Sequence, residues 1–437
     1  MKPLQTIIIG AGIAGITAAR TLQDSGHTVK ILEARNRIGG RTHTDASLGP
    51  TIDLGGSWIH GPISNPLTPL ANKFGVDYTY TDFLNRDGGN VMAFGANGTL
   101  LDEDEYTMGL QLADGLIAHA YGSVLHHLPE EESSFSVADF YAHGLPLPDD
   151  LTPTQEKGLY YTSTIRLQYG DAADLADIDW HLSDNYVSLP GDDLLLHGGG
   201  YNRITDGLSE GLDIETNVVV TQISYGDDGV MLETNQGTYR AGQVVITVPL
   251  GVLKAGDIAF DPPLPIEKQQ AIQRMGFGNY EKLALRFETC FWPAEPQRFH
   301  YLTDQEPELF TSWLNSTHYS GEPILIAYHA GSRAQYVNEL SDEALIEGAL
   351  TVLQTMFKQD IPTPTAYLRT GWENDPFAQG SYSFRQVGEQ SGDVAILAEP
   401  IFQRLFFAGE ATHPAYFATV HGAYETGIRA AHEVMSL

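Results

Sequence analysis

Gly10, Gly12 and Gly15 stand at the end of the apolar run "TIIIG" and form the pattern G-x-G-x-x-G in "GAGIAG". In a strand–turn–helix setting the first glycine makes the tight turn. The second lets the backbone approach a pyrophosphate, and the third lets helix and strand pack closely. The helix that follows offers unpaired N–H groups and the positive end of its dipole to the phosphates. Glu33 ends the next apolar run, "TVKILEA", 18 residues after Gly15. There an acidic side chain can accept hydrogen bonds from an adenosine ribose. The loop continues through Ala34 and Arg35 to Gly39, Gly40 and Arg41, a second close backbone approach beside a cation. This spacing points to a bound dinucleotide.

The elements that position these residues are legible from periodicity. Residues 5–33 read as strand, glycine turn, helix and strand, with Ile13, Ile16, Ala19 and Leu22 on the helix's apolar face and Gly26 at its end. Residues 62–200 mix helical stretches with Pro- and Gly-rich loops, including an acidic turn at 128–136 and a proline-punctuated boundary at 145–153. A helix and several short strands follow from 200 to 249. Residues 280–330 alternate apolar and polar, 341–357 read as helix, and 404–409 as a strand. In the last helix Tyr424, Ile428, Ala431 and Met435 recur at helical spacing. The strand "NYEKLALRF" places Lys282, Ala284 and Arg286 on one face, and on pattern alone Lys282 is a solvent-facing lysine.

The 437 residues allow about two or three domain-sized units. Hydrophobic content of 42% and charged content of 18% describe a globular chain. The net charge of -32 argues against nucleic acid as a partner and would suit cationic partners or substrates, although on charge alone a solvated acidic surface is the favoured reading. The one cysteine, Cys290, precludes an internal disulfide and fits a reducing compartment. No apolar run approaches the roughly 20 residues of a spanning helix, and the first residues read as a strand rather than a secretory signal. The expectation is a soluble, cytoplasmic protein, monomeric or a weak homodimer, with no membrane partner and no metal.

Beyond the glycine pattern, "GGSWIHG", "TVPLGVLK", "FDPPLP", "MGFGNYEKLALRF", "WENDPFAQGSYSF", "LFFAGEAT" and "TVHGAYETGIRAA" occur in order along nearly the whole chain. The chain resembles the flavin-containing amine oxidases, above all the polyamine and spermine oxidases, and also the catalytic domain of the flavin-dependent histone demethylases. The resemblance implies an α/β fold with a Rossmann-like FAD domain of the glutathione-reductase type over 1–75, 200–279 and 385–437. An interleaved α+β substrate domain would take 76–199 and 280–384. FAD would be held by Gly10, Gly12, Gly15, Glu33, Ala34, Arg35, Gly40, Arg41, Gly55, Gly56, Ser57, Trp58, Val219, Trp372, Gly409, Glu410, Thr419 and Val420. "QGSYSF" carries no cysteine, so the flavin is expected to be noncovalent.

The implied reaction oxidises a polyamine at a secondary amine, with molecular oxygen as acceptor, giving an aminoaldehyde, a shorter amine and hydrogen peroxide. Lys282 matches the family lysine that holds a water against the flavin, His60 the position facing the substrate amine, and Tyr382 an aromatic flanking the substrate channel. Thr419 stands where other members complete an aromatic sandwich, leaving a wider, more polar site. Alternatives are oxidation of a monoamine or an L-amino acid, or a flavoprotein with no enzymatic role. The amino acid is disfavoured because Ser57, Trp58, Ile59 and His60 include no arginine for a carboxylate.

Overall fold

The computed structural model describes residues 6–81, 90–123, 135–142, 150–180, 186–303 and 307–437, together with 148 and 305. Most of the acidic turn expected at 128–136, and part of the boundary at 145–153, lie outside them.

The first strand, Thr6–Ile9, is buried on both faces because every residue is apolar or β-branched. It lies at the centre of a five-stranded sheet with Gln243–Ile246 and Leu405–Phe407 on one side, and Val29–Leu32 and Ile214–Glu215 on the other. All four pairings are parallel. Period-two alternation divides its side chains between two cores. Ile8, Ile31, Val245 and Phe406 pack with the helices Ile13–Asp24, Gly200–Ser209 and Val420–Met435. Ile7, Ile9, Val244, Ile246 and Phe407 pack on the other side with residues of the strands Val220–Gly226 and Gly229–Thr234. The result is a helix–sheet–sheet layering, a mixed α/β fold built on a parallel sheet.

The residues expected at helical spacing in the last helix meet the core only in part. Its buried row is Ala423, Gly427, Ala430, Ala431 and Val434, whereas Tyr424 and Met435 sit at the margin. The helix crosses Ile13–Asp24 so closely that a Cβ on Gly427 would lie 2.3 Å from the Ala14 carbonyl oxygen. Small residues therefore fill most of the inward face; of the positions expected at helical spacing, Ala431 lies in it and Tyr424 and Met435 pack at its edge.

A second, six-stranded sheet runs in the order Ala366–Arg369, Tyr280–Arg286, Ile324–Ala330, Ser312–Asn315, Arg298–Leu302 and Val91–Gly95. Leu283 and Leu285 pack with Leu345, Ala349, Leu353 and Met356 of the helix Asp342–Phe357. Ala284 faces the opposite core with Trp58 and Tyr328. Both faces are covered, so the solvent-facing position expected for Lys282 on pattern alone does not exist; its residue is 5% exposed. No helix among the described residues is long and apolar enough to cross a membrane.

His329 is buried in this sheet, and its Nε2 accepts the Phe310 N–H at 3.3 Å. Burial, then the Arg333 and Arg369 charges, pushes its pKa down from 6.5 to about 3. The native chain thus refuses a proton that the unfolded chain accepts below pH 6.5. The contribution to stability is complete above that pH and is lost as pH falls toward about 3, by up to about 1.4 kcal/mol per pH unit. His329→Gln is expected to flatten the fall in urea midpoint between pH 6.5 and 4.5; an unchanged slope would remove His329 from the acid response.

Candidate active site

The glycine turn after Thr6–Ile9 is shaped by contacts that leave no room for side chains. Gly10 has φ 103°, and a Cβ there would lie 2.7 Å from Thr247 Oγ1. A Cβ on Gly15 would lie 2.0 Å from the Gly10 carbonyl oxygen. Gly12 differs: its Cβ would meet only Gly39 O, at 4.0 Å. That open side faces the start of Ile13–Asp24, whose first turn has no side-chain cap. The second glycine loop lies against the first. Gly39 N donates to Ala11 O at 2.8 Å, and a Cβ on Gly40 would be 3.4 Å from Gly12 Cα.

Glu33 is buried, and its carboxylate accepts from Ala11 N at 2.6 Å and Arg35 N at 2.8 Å. Each carboxylate oxygen has a further lone pair to offer a ribose hydroxyl. Val218 N donates to Glu33 O and Asn217 N to Arg35 O, both at 2.9 Å, which brings the segment containing Val219 alongside Glu33 and Ala34. Arg35 is clamped by both oxygens of Asp375, at 2.5 and 2.7 Å, fixing the exit of this loop.

The third glycine loop completes the wall. Gly56 N donates to Arg41 O at 3.2 Å, and a Cβ on Gly55 would be 1.7 Å from that same oxygen. A Cβ on Gly56 would be 2.8 Å from Val420 Cγ2, so this loop abuts the start of the helix Val420–Met435. Thr419 caps that helix: its hydroxyl accepts Gly422 N–H at 3.0 Å and donates its one hydrogen to Tyr416 O at 2.7 Å. Its one hydroxyl hydrogen is therefore used within the cap. Arg41 donates to Ser381 O at 2.8 Å and Glu410 Oε1 at 2.9 Å. The other oxygen of Glu410 accepts from Ser383 Oγ at 2.5 Å and Ala418 N at 2.8 Å. A Cβ on Gly409 would meet nothing within 4 Å. Open space at Gly12 and Gly409, an uncapped helix start and unused carboxylate lone pairs together fit a long phosphate-containing cofactor.

Lys282 projects from the six-stranded sheet onto this third loop. Its Nζ donates to Asp53 O and Gly55 O, each at 2.7 Å, and to Ser57 Oγ at 2.6 Å. Three N–H donors meet three acceptors, which makes burial of the charge tolerable. Burial lowers the lysine's proton affinity and the Asp53 carboxylate opposes that shift. Asp53 is itself raised by burial, with the Thr44 hydroxyl, Lys282 and Tyr201 N–H acting the other way. Around the ammonium stand aromatic faces: the Trp58 and Tyr328 rings each lie 5.9 Å from Nζ. Tyr280 lies 5.7 Å from Tyr328, 6.0 Å from Tyr382 and 5.8 Å from Tyr169. Tyr382 donates its hydroxyl to Tyr169 O at 2.6 Å. Trp372 is buried behind Gly55, with Nε1 donating to Leu54 O at 3.2 Å.

At the other end of the loop, His60 Nδ1 lies 2.8 Å from Asp193 Oδ2, and Gly61 N donates to Asp193 Oδ1 at 2.9 Å. His421, next to Val420, is buried, with its pKa pushed down to about 3 by burial and then by His60 and His413. Sequence reasoning named neither Asp53, Thr247 nor Asp375, and left Asp193 unassigned. Asp193 lies in the Gly-Asp-Asp of "LPGDD", but no local spacing connects it to His60.

A family description, flavin containing amine oxidoreductase, matches residues 13–435, and the chain belongs to that family. Polyamine oxidase 4 of Oryza sativa subsp. japonica is 35% identical, over 99% of this chain and 88% of its own length. Polyamine oxidase 2 of Arabidopsis thaliana is 35% identical over 98% of this chain and 87% of its own. Lysine-specific histone demethylase 1 homolog 1 of Oryza sativa subsp. japonica is 33% identical over 100% of this chain but only 52% of its own length. The protein is thus an FAD-dependent amine oxidoreductase with an amine as substrate.

Replacing Lys282 by Met removes three hydrogen bonds at once, whereas Ser57→Ala removes one acceptor. Lys282→Met is expected to lose about 2–3 kcal/mol of stability and Ser57→Ala about 1. Flavin reduction or reoxidation should slow at least tenfold in Lys282→Met with FAD still bound. Stopped-flow traces unchanged from wild type would remove Lys282 from the site.

Proposed function

We propose that this chain oxidises a polyamine, such as spermine, spermidine or an acetylated form, at a secondary amine. The products are an aminoaldehyde, a shorter amine and hydrogen peroxide. The observation that carries the reading is the aromatic cluster of Trp58, Tyr280, Tyr328 and Tyr382, with the His60–Asp193 pair at the far end of the loop that carries Trp58. Aromatic faces attract organic cations, and a histidine–carboxylate pair can engage an ammonium. Two relatives named as polyamine oxidases, similar along nearly their whole length, support the same substrate class. The net charge of -32 favours the approach of a multiply protonated substrate.

In this reading FAD is noncovalent and belongs to a glutathione-reductase-type domain over 1–75, 200–279 and 385–437, with the substrate domain over 76–199 and 280–384. Bound FAD supplies the two-electron acceptor for a hydride equivalent from the carbon beside the substrate nitrogen. Gly10, Gly12, Gly15 and the helix start take the pyrophosphate, and Glu33, Ala34, Arg35 and Val219 surround the adenosine. Gly40, Arg41, Gly409 and Glu410 line the path onward. Gly55, Gly56, Ser57, Trp58, Trp372, Thr419 and Val420 enclose the flavin end. Lys282 fixes the Gly55–Ser57 loop and presents a cation there. Tyr382 forms part of the channel wall, and His60 meets the amine. The reading also includes a chain acting in the cytoplasm, alone or as a weak homodimer.

Anaerobic mixing with spermine, spermidine, N-acetylspermine, a monoamine, an L-amino acid and a methyl-lysine peptide tests the substrate class. Rapid bleaching by a polyamine is expected, with product masses after admission of air showing which bond breaks. Bleaching confined to the monoamine, the amino acid or the peptide would sink the polyamine assignment.

A further inference from the structure

We propose that Asp53 is the positioning residue for Lys282: its carboxylate, set one step away from the ammonium, supplies the counter-charge that keeps Lys282 protonated and the Gly55 loop in place. The inference rests on the reading above, in which Lys282 presents a cation at the flavin end, and deepens it. The three acceptors of Nζ, namely Asp53 O, Gly55 O and Ser57 Oγ, are all uncharged. They satisfy its hydrogens but leave a full positive charge away from water, a costly arrangement without a negative partner. Among the described residues, the charged group that acts on it is the carboxylate of Asp53, whose own carbonyl oxygen is one of the three acceptors. The Trp58 side supplies no anion. Lys282 Nζ and the Arg298 guanidinium lie 5.9 and 5.5 Å from that ring, so the neighbouring charge there is a second cation.

The buried carboxylate is gripped by groups that favour its ionised form. Oδ1 accepts the Thr44 hydroxyl and, at 3.1 Å, the Tyr201 N–H, which also lies 3.3 Å from Oδ2. Tyr201 stands in the first turn of the helix Gly200–Ser209, whose positive end suits an anion. The approach is so close that a Cβ on Gly200 would lie 2.4 Å from Asp53 Oδ1. The same tyrosine donates its hydroxyl to Trp58 O at 2.7 Å, so one helix start holds both ends of segment 53–58. That hydroxyl keeps its proton, because burial and then the Asp53 and Asp193 charges raise its pKa. The charge state of Lys282 decides whether the middle of the segment keeps its shape. An ammonium has three N–H donors for three acceptors. A neutral amine has two, and one of the three oxygens is then abandoned. A direct ion pair would divert a donor to the carboxylate; the separated arrangement leaves all three for the loop.

Titration of the holoenzyme labelled with carbon-13 lysine tests this. The Lys282 Cε resonance is assigned by its loss in Lys282→Met. Asp53→Asn is expected to lower its midpoint by about one pH unit or more. Asp53→Glu restores the charge, and Thr44→Ala removes a hydrogen bond of the same site but keeps the carboxylate. Each should stay within about half a unit of wild type. A midpoint unmoved in Asp53→Asn, or lowered as far in Asp53→Glu or Thr44→Ala, would overturn the proposal. The coupling is reciprocal, so it is also read with Asp53 intact. In carbon-13 aspartate spectra, Lys282→Met should raise the midpoint of one carboxyl by a similar amount. Aspartate titrations identical to wild type would contradict the counter-charge role, even where Asp53→Asn fails to fold. If no amine reduces the flavin, the amine reading fails, while these titrations still decide whether Asp53 serves Lys282.

Discussion

Three backbone loops touch one another at the centre of this molecule, and the rest of the structure is arranged to allow it. Gly15 rests on the Gly10 carbonyl, Gly40 approaches Gly12, Gly55 rests on the Arg41 carbonyl, and Gly422 lies where a Cβ would be 1.9 Å from Tyr416 O. A Cβ at Gly15, Gly55 or Gly422 would collide with a backbone carbonyl oxygen, whereas Gly40 is required by its φ of 59°. These contacts are local in sequence, and the long-range one is made by the start of the last helix, whose Val420 Cγ2 would lie 2.8 Å from a Cβ on Gly56. The same constraint selects the small-residue face by which that helix packs on Ile13–Asp24.

Charges are held with equal economy of space. Lys282 comes from the six-stranded sheet and places its ammonium among three oxygens of the Gly55 loop. Arg41 and Glu410 join the second glycine loop to the segment after Leu405–Phe407. Arg35 and Asp375 join the start of that same loop to the segment that also carries Trp372. A buried ion pair adds little net stability but is costly to break. These pairs therefore serve to keep loops from distant parts of the chain in one arrangement. The aromatic wall and the His60–Asp193 pair inherit their positions from that arrangement.

Much of this could be read from the chain because its signals are local. The glycine pattern, Glu33 at the end of its strand and the capping of elements by turns all fall within a few tens of residues. Lys282 was singled out by resemblance, since its alternating strand gives no sign that both faces are covered. Its acceptors lie 225 to 229 positions away. Asp375 is 340 positions from Arg35, and Asp193 is 133 from His60; no periodicity links such pairs. The stripe of Ala423, Gly427 and Ala430 escaped notice for a different reason. Hydrophobic periodicity weighs large residues, whereas a close helix crossing is made by small ones.

In the function proposed above, FAD lies with its pyrophosphate against Gly12. In the protein alone, a Cβ at Gly12 meets only one atom, at 4.0 Å, and its φ of -75° suits any residue. Gly12→Val should therefore leave the apoprotein's melting temperature close to that of wild type, while equilibrium titration shows FAD affinity at least tenfold weaker. FAD affinity unchanged in that variant would contradict the account, because the cofactor could not then lie where the loops leave room for it.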